Sequence, residues 1–258
     1  MNWFSRKPRE DKAEHGDAHD QYIKGIIHFI GNGVPINYME AAKWFLCAAV
    51  KGHTAAQAHL ACMYCDGLGV AQNYAEAVKW YRQAINKGDA VARYNLGLLY
   101  AKGEGVVRDY AEAIRLFREA AESDCAEAQL ELGKMYDMGE GVAQDYAEAA
   151  KWYRKAARLG LAEAQHNLGV MYRNGIGVSQ DDSEAVSLYR EAANQGYGPS
   201  QYNLGFMYVN GFGVANDDME ALKWMRKAAA QGHAKARLIL MSMEGGAGDE
   251  GQPTVHRL

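Results

Sequence analysis

A pair of glycines two residues apart recurs at Gly31/Gly33, Gly67/Gly69, Gly103/Gly105, Gly139/Gly141, Gly175/Gly177 and Gly211/Gly213, a step of 36 residues every time. Seven residues after each first glycine stands Tyr38, Tyr74, Tyr110, Tyr146, Asp182 or Asp218. Two further on is always Glu (Glu40, Glu76, Glu112, Glu148, Glu184, Glu220), then Ala (Ala41, Ala77, Ala113, Ala149, Ala185, Ala221). A register held through six copies marks a repeat architecture, because one short unit cannot bury its own apolar face and stacked units can.

Each unit reads as helix, loop, helix. In residues 90–124, Leu96, Leu99 and Tyr100 fall on one helical face, with Gly97 among them where a neighbour can approach closely. Gly103 ends this helix in the left-handed conformation, Gly105 relieves the loop, and Val106 plugs the gap between helices. The second helix opens on a capping box. Asn37, Asn73, Asp109, Asp145, Asp181 and Asp217 each precede a Glu by three residues, so cap and Glu can satisfy each other's amides. Its buried stripe is Ala113, Phe117 and Ala120. Trp44, Trp80, Trp152, Leu188 and Trp224 stand one residue before the Phe117 position, which Phe45, Tyr81, Tyr153, Tyr189 and Met225 occupy elsewhere. The aromatic stripe, Trp152 included, reads as core. The second helices end at Gly52, Gly88, Gly160, Gly196 and Gly232, with Asp124 taking that place in the third unit.

These features predict an all-α array of six units over about 17–232, followed by a capping helix at 233–241. The polar leader, 1–16, and the Gly-rich tail, 244–258, are expected to be disordered.

The motif resembles that of the Sel-one-like repeat family, a branch of the tetratricopeptide superfamily. AQHNLGVMYRNGIGVSQDDSEAVSLYREAANQG (164–196) follows the family pattern nearly throughout, with Leu188 and Tyr189 in its Trp-Tyr place. The resemblance covers about nine tenths of the chain. It implies a right-handed α-solenoid that binds proteins or peptides, often as an adaptor in bacterial signalling, envelope assembly or host interaction. The first unit departs most, with His28 where later units carry Tyr, and is read as an N-terminal cap.

The 258 residues carry a net charge of −4 with both signs mixed along the chain. The absence of a basic stripe argues against nucleic acid. No apolar run suits a signal peptide or a membrane span, so the expected site is the cytoplasm.

Four cysteines (Cys47, Cys62, Cys65, Cys125) follow no repeating pattern and predict no disulfide framework. Some relatives carry linked cysteines in every repeat and are associated with β-lactams; that recurrence is missing here. Cys62 and Cys65 form a CxxC with His59 nearby. The pair lacks a thioredoxin-like setting and enough zinc ligands, and reads as two helix thiols. His15 and His19 belong to a solvated leader rather than a metal site. His53, His166 and His233 are read as occupying different repeat positions and converging on nothing. No catalytic, cofactor or metal constellation stands out, and the glycine pairs lack the Lys-Ser/Thr and preceding strand of a phosphate loop.

In tetratricopeptide arrays the first helices line the concave face. Positions two and five residues either side of the Leu96 position then give Val91, Tyr94, Leu98 and Ala101, and in later units Glu127, Leu130, Lys134 and Asp137; Glu163, His166, Val170 and Arg173; and Pro199, Tyr202, Phe206 and Val209. Tyr94, Lys134, Asp137, Glu163, His166, Arg173, Tyr202 and Phe206 are the candidate contacts, suiting a peptide with a few apolar anchors and mixed charge. Asn95, Asn167 and Asn203 share one position and either meet a peptide backbone or tie adjacent helices together. A non-enzymatic scaffold is the leading reading. A hydrolase acting on β-lactam or cell-wall compounds, or a secreted effector on the same scaffold, are the alternatives.

Overall fold

The computed structural model describes residues 16–245, so most of the expected leader and tail lie outside the described residues. Thirteen α-helices and no strands occur among the described residues. They are α1 Ala18–Ile30, α2 Tyr38–Val50, α3 Thr54–Asp66, α4 Tyr74–Ile85, α5 Ala90–Lys102, α6 Tyr110–Ala121, α7 Ala126–Met138, α8 Tyr146–Arg158, α9 Ala162–Asn174, α10 Asp182–Asn194, α11 Gly198–Asn210, α12 Asp218–Ala230 and α13 Ala234–Gly245. The chain forms an all-α solenoid of six helix pairs with α13 added, dividing into two compact units at Ser123/Asp124. The first unit holds α1–α6 and the second α7–α13. The capping helix runs to Gly245, a few residues past its expected end.

The caps form as the sequence predicts, but the boxes only half close. At all six second helices the Asn or Asp side chain accepts from the amide of the Glu three residues on. Each is worth about 1 kcal/mol. The Glu does not reach back. The cap amide instead donates to the carbonyl of the last-turn residue of the first helix, as in Asp109 to Tyr100 at 2.9 Å and Asn37 to His28 at 2.9 Å. With that amide satisfied, five of the six glutamates pair with a base three residues further on, for example Glu148 with Lys151 at 2.7 Å.

Within five of the six pairs the helices meet at a glycine, Ala61 taking the place in α3. A β-carbon on Gly97 would stand 2.6 Å from the Phe117 ring, and Gly133 and Gly169 meet Tyr153 and Tyr189 in the same way. These rings are the true core aromatics, at most 2 % exposed. The expectation that Trp152 belongs to the core needs correcting. Trp44, Trp80 and Trp152 are half-buried, and the Trp152 ring lies under the Lys155 ammonium at 4.0 Å. At the same register Leu116, Leu188 and Trp224 are buried, so the core reading holds for Trp224 and fails for the other three tryptophans.

Each core cluster joins a second helix to the first helix that follows. Phe45 and Ala49 of α2 pack with Leu60 and Met63 of α3; Ala77 and Tyr81 of α4 pack with Leu96 and Leu99 of α5. Two polar ties recur across these joints. Buried Gln57, Gln165 and Gln201 donate to the carbonyls of Ala49, Ala157 and Ala193. Arg82, Arg154 and Arg190 donate to the hydroxyls of Tyr100, Tyr172 and Tyr208. Asp124 holds the left-handed conformation (φ 56°) that glycine holds at Gly52, Gly88, Gly160, Gly196 and Gly232.

Candidate binding groove

In the first unit the groove candidate is Tyr94, half-buried with its ring 5.9 Å from that of Phe117. The CxxC thiols of α3, in the preceding repeat, converge on one tyrosine hydroxyl. Cys62 Sγ lies 3.1 Å and Cys65 Sγ 3.9 Å from the Tyr81 hydroxyl. Burial pushes both thiols up, Cys65 to about 11, so neither is a ready thiolate. His59 turns its Nδ1 to the Ala55 carbonyl at 2.8 Å, not to the sulfurs. No group of three or more His, Cys, Asp or Glu suited to a metal occurs among the described residues.

The second unit brings most of the predicted residues together. Lys134 bridges Glu163 (2.7 Å) and Glu131 (3.1 Å). Burial opposes its charge, but the hydrogen bond to Glu163 and the field of Glu131 prevail, and its pKa is raised. Asp137 accepts from the Tyr153 hydroxyl at 3.3 Å. Arg173 pairs with Asp182 at 3.3 Å and lies over the Phe212 ring at 4.3 Å. Leu130 belongs to the core at 5 % exposure, and so leaves the set of groove positions. Its side chain fills a hydrophobic cluster that also contains Tyr153 and Leu168.

Histidine placement departs from expectation. His53 and His233 share one repeat position: each is a cap whose Nδ1 accepts from the amide three residues on (3.3 Å), and each stacks on a tyrosine at 20°. Counting in steps of 36 would have found the match. His166 Nδ1 lies 2.9 Å from Ser200 Oγ, between the rings of Tyr189 and Tyr197. Burial pushes its pKa down to about 4. Ser200 is fully buried, which leaves the pair no access to a substrate.

Three candidates, Arg173, Tyr202 and Phe206, line one cavity of about 310 Å³ with Val170, Asn174, Tyr189, Asn203 and Met207. The sequence pointed to these three residues of α9 and α11. It did not reveal Tyr189, which reaches this space from the second helix α10, nor Met207. Asn203 bonds the Tyr189 hydroxyl, so at this position the tie between helices is realised. Opposite charges and a larger volume, about 580 Å³, mark a second recess bordered by Arg154, Arg158, Glu184 and Glu191, none of them a predicted contact.

Comparison with known proteins agrees with the architecture. No curated relative matches the chain. Among solved structures, c5321, a protective antigen present in uropathogenic Escherichia coli strains, is 38% identical with a TM-score of 0.84. The alignment covers 93% of this chain and 52% of c5321, so this chain spans about half that protein's length. A Sel1 repeat protein from Oxalobacter formigenes is 33% identical with a TM-score of 0.75, covering 91% of this chain and 92% of its own. The Pseudomonas aeruginosa immunity protein PA5087, 18% identical with a TM-score of 0.53 and covering 90% of this chain and 86% of its own, shares the fold. The Sel1 repeat model matches six times in succession, at 21–53, 54–89, 90–125, 126–161, 162–197 and 198–233, and the chain therefore belongs to the Sel1 repeat family.

Proposed function

We propose that this chain is a non-enzymatic interaction scaffold that holds a peptide or protein segment against the first helices of its second unit. The observation that carries the reading is the 310 Å³ cavity, where the Tyr202 and Phe206 rings meet Val170 and Met207 beside Arg173, Asn174 and Asn203. Such a space takes one large apolar side chain of a partner. The neighbouring charges are already matched within the chain, Lys134 by Glu131 and Glu163, and Arg173 by Asp182. A partner therefore gains little from added charge, and apolar anchoring supplies the affinity. A net charge of −4 disfavours nucleic acid as the partner. Among the described residues no helix is long and apolar enough to cross a membrane.

Panning a random peptide library on the full chain tests this. Enriched peptides should share a large apolar anchor. Tyr202→Ala combined with Phe206→Ala should weaken them at least about tenfold, measured well below the variant's melting temperature because both rings also pack on Met225 and Ala228. Undiminished binding by that variant removes the groove assignment.

A further inference from the structure

The recess bordered by Arg154, Arg158, Glu184 and Glu191 shares no lining residue with the groove cavity. Two of its four charges are engaged by the stack: Arg154 donates to the Tyr172 hydroxyl at 2.9 Å, and Glu191 accepts from Gln165 at 2.8 Å. The other two are not. Glu184 is the one capping-box glutamate with no base three residues on, because Ser187 stands there. Arg158 occupies a position that holds Val50, Asn86, Glu122, Asn194 and Ala230 in the other units, so the fold asks for no cation there. Neither side chain makes an ion pair or hydrogen bond among the described residues, and both are exposed. Opposite charges on α8 and α10 thus border one space of about 580 Å³ without meeting.

Leu159, between the lining residues Arg158 and Gly160, breaks a further rule of the repeat. The other units hold Lys51, Lys87, Ser123, Gln195 and Gln231, all polar. Lys51, Lys87 and Gln231 donate to the carbonyls of Gly16, Gly52 and Gly196, and Gln195 to the Gln165 side chain, each fastening its turn to the stack. Leucine cannot donate, and Leu159 is 48 % exposed. An apolar side chain that forgoes this tie and stays in solvent breaks a local rule with no gain inside the fold.

We propose that Leu159, Arg158 and Glu184 form a second interaction surface, taken by a partner segment that presents an apolar side chain to Leu159, an acid to Arg158 and a base to Glu184. A segment with acids alone meets repulsion at Glu184, and one with bases alone meets it at Arg158; mixed charge matches both. Exposed charges give orientation and selectivity more than affinity, so Leu159 is the anchor. The surface stands apart from the groove reading and gives the chain two places to hold partners at once.

Panning a random peptide library on the Tyr202→Ala/Phe206→Ala variant, well below its melting temperature, takes the groove out of the selection and supplies the probe. Enriched peptides should carry an acid and a base beside a large apolar residue, and bind the parent chain with Kd on the order of 100 µM or tighter. Leu159→Gln, which restores the residue found at Gln195 and Gln231, should weaken them at least about tenfold without lowering the melting temperature. Arg158→Glu should weaken them about tenfold, and exchanging the peptide's acid for lysine should recover that loss on this variant. No enriched peptide, enriched peptides of one charge sign, indifference to Leu159→Gln, a melting temperature lowered by it, or no recovery by the exchanged peptide would each overturn the assignment. So would a dimer of the parent chain in sedimentation that Leu159→Gln dissolves, since the surface would then belong to a second copy.

Discussion

Single side chains in this protein divide sharply between those the stack grips and those it leaves at its flanks. Tyr153 and Trp152 are neighbours in sequence, yet Tyr153 is 1 % exposed against Gly133 while Trp152 is half-buried under Lys155. Tyr153→Ala should therefore cost about 3–5 kcal/mol, and Trp152→Ala clearly less, measured by urea unfolding of each variant. Equal losses would mean that the flank is as tightly packed as the seam. The sequence made the alternation of positions visible and ranked all four tryptophans of this register with the core, which holds for Trp224 at 4 % exposure but not for Trp44, Trp80 and Trp152, because register alone does not tell how fully neighbouring helices cover each ring. Leu130 shows the converse. It occupies a position that holds groove residues in other repeats, and local packing draws it into the core.

At the level of helices, side-chain caps hold the starts of α3, α5 and α13, whereas α7, α9 and α11 start at the equivalent residue with no side-chain cap hydrogen bond. Asp89 caps α5 with a carboxylate, accepting from the Ala92 amide at 2.7 Å, whereas His53 and His233 cap α3 and α13 with a neutral imidazole. Burial lowers the pKa of both histidines; His19 presses further on His53, with Asp17 opposing and His59 and Lys87 adding, and Lys235 presses on His233. The unfolded chain takes up these protons first. Their stabilising effect is thus complete above about pH 6.5 and disappears as pH falls through the lower folded-state values. Buried His166, near 4, acts in the same direction. Thermal melts should fall by a few degrees more between pH 7.5 and pH 5 in the parent than in a His53→Asp/His233→Asp variant, whose caps stay charged and accepting. Parallel curves would show that the caps do not titrate in this range. The recurring histidine was legible in the 36-residue step, but its role as a cap depended on a backbone angle the sequence does not print.

Across the whole molecule, stability in a stacked array comes from neighbours, so elements with only one neighbouring repeat should open first. The helices α1 and α13 are in that position, and α13 has Leu238 and Met241 exposed. Hydrogen exchange followed by mass spectrometry should find the least protected helical amides in α1 and α13, and the most protected in α4, α5, α9 and α10. Uniform protection would mean that the array unfolds as one block.

The sequence by itself determined the period, the helix pairs and their caps, because those rest on short-range rules: a glycine where φ is positive, an Asx three residues before a Glu, apolar residues at helical spacing. It also placed the candidate contacts of the second unit on first helices, since residues that vary between repeats are those the fold leaves free. Only the tertiary structure decided which of them meet. Arg173 of α9 and Tyr202 and Phe206 of α11 share one cavity with Tyr189, a residue of a helix the sequence assigned to the core. Which atoms stand beside a residue is fixed by the packing of distant segments, and no local rule carries that information.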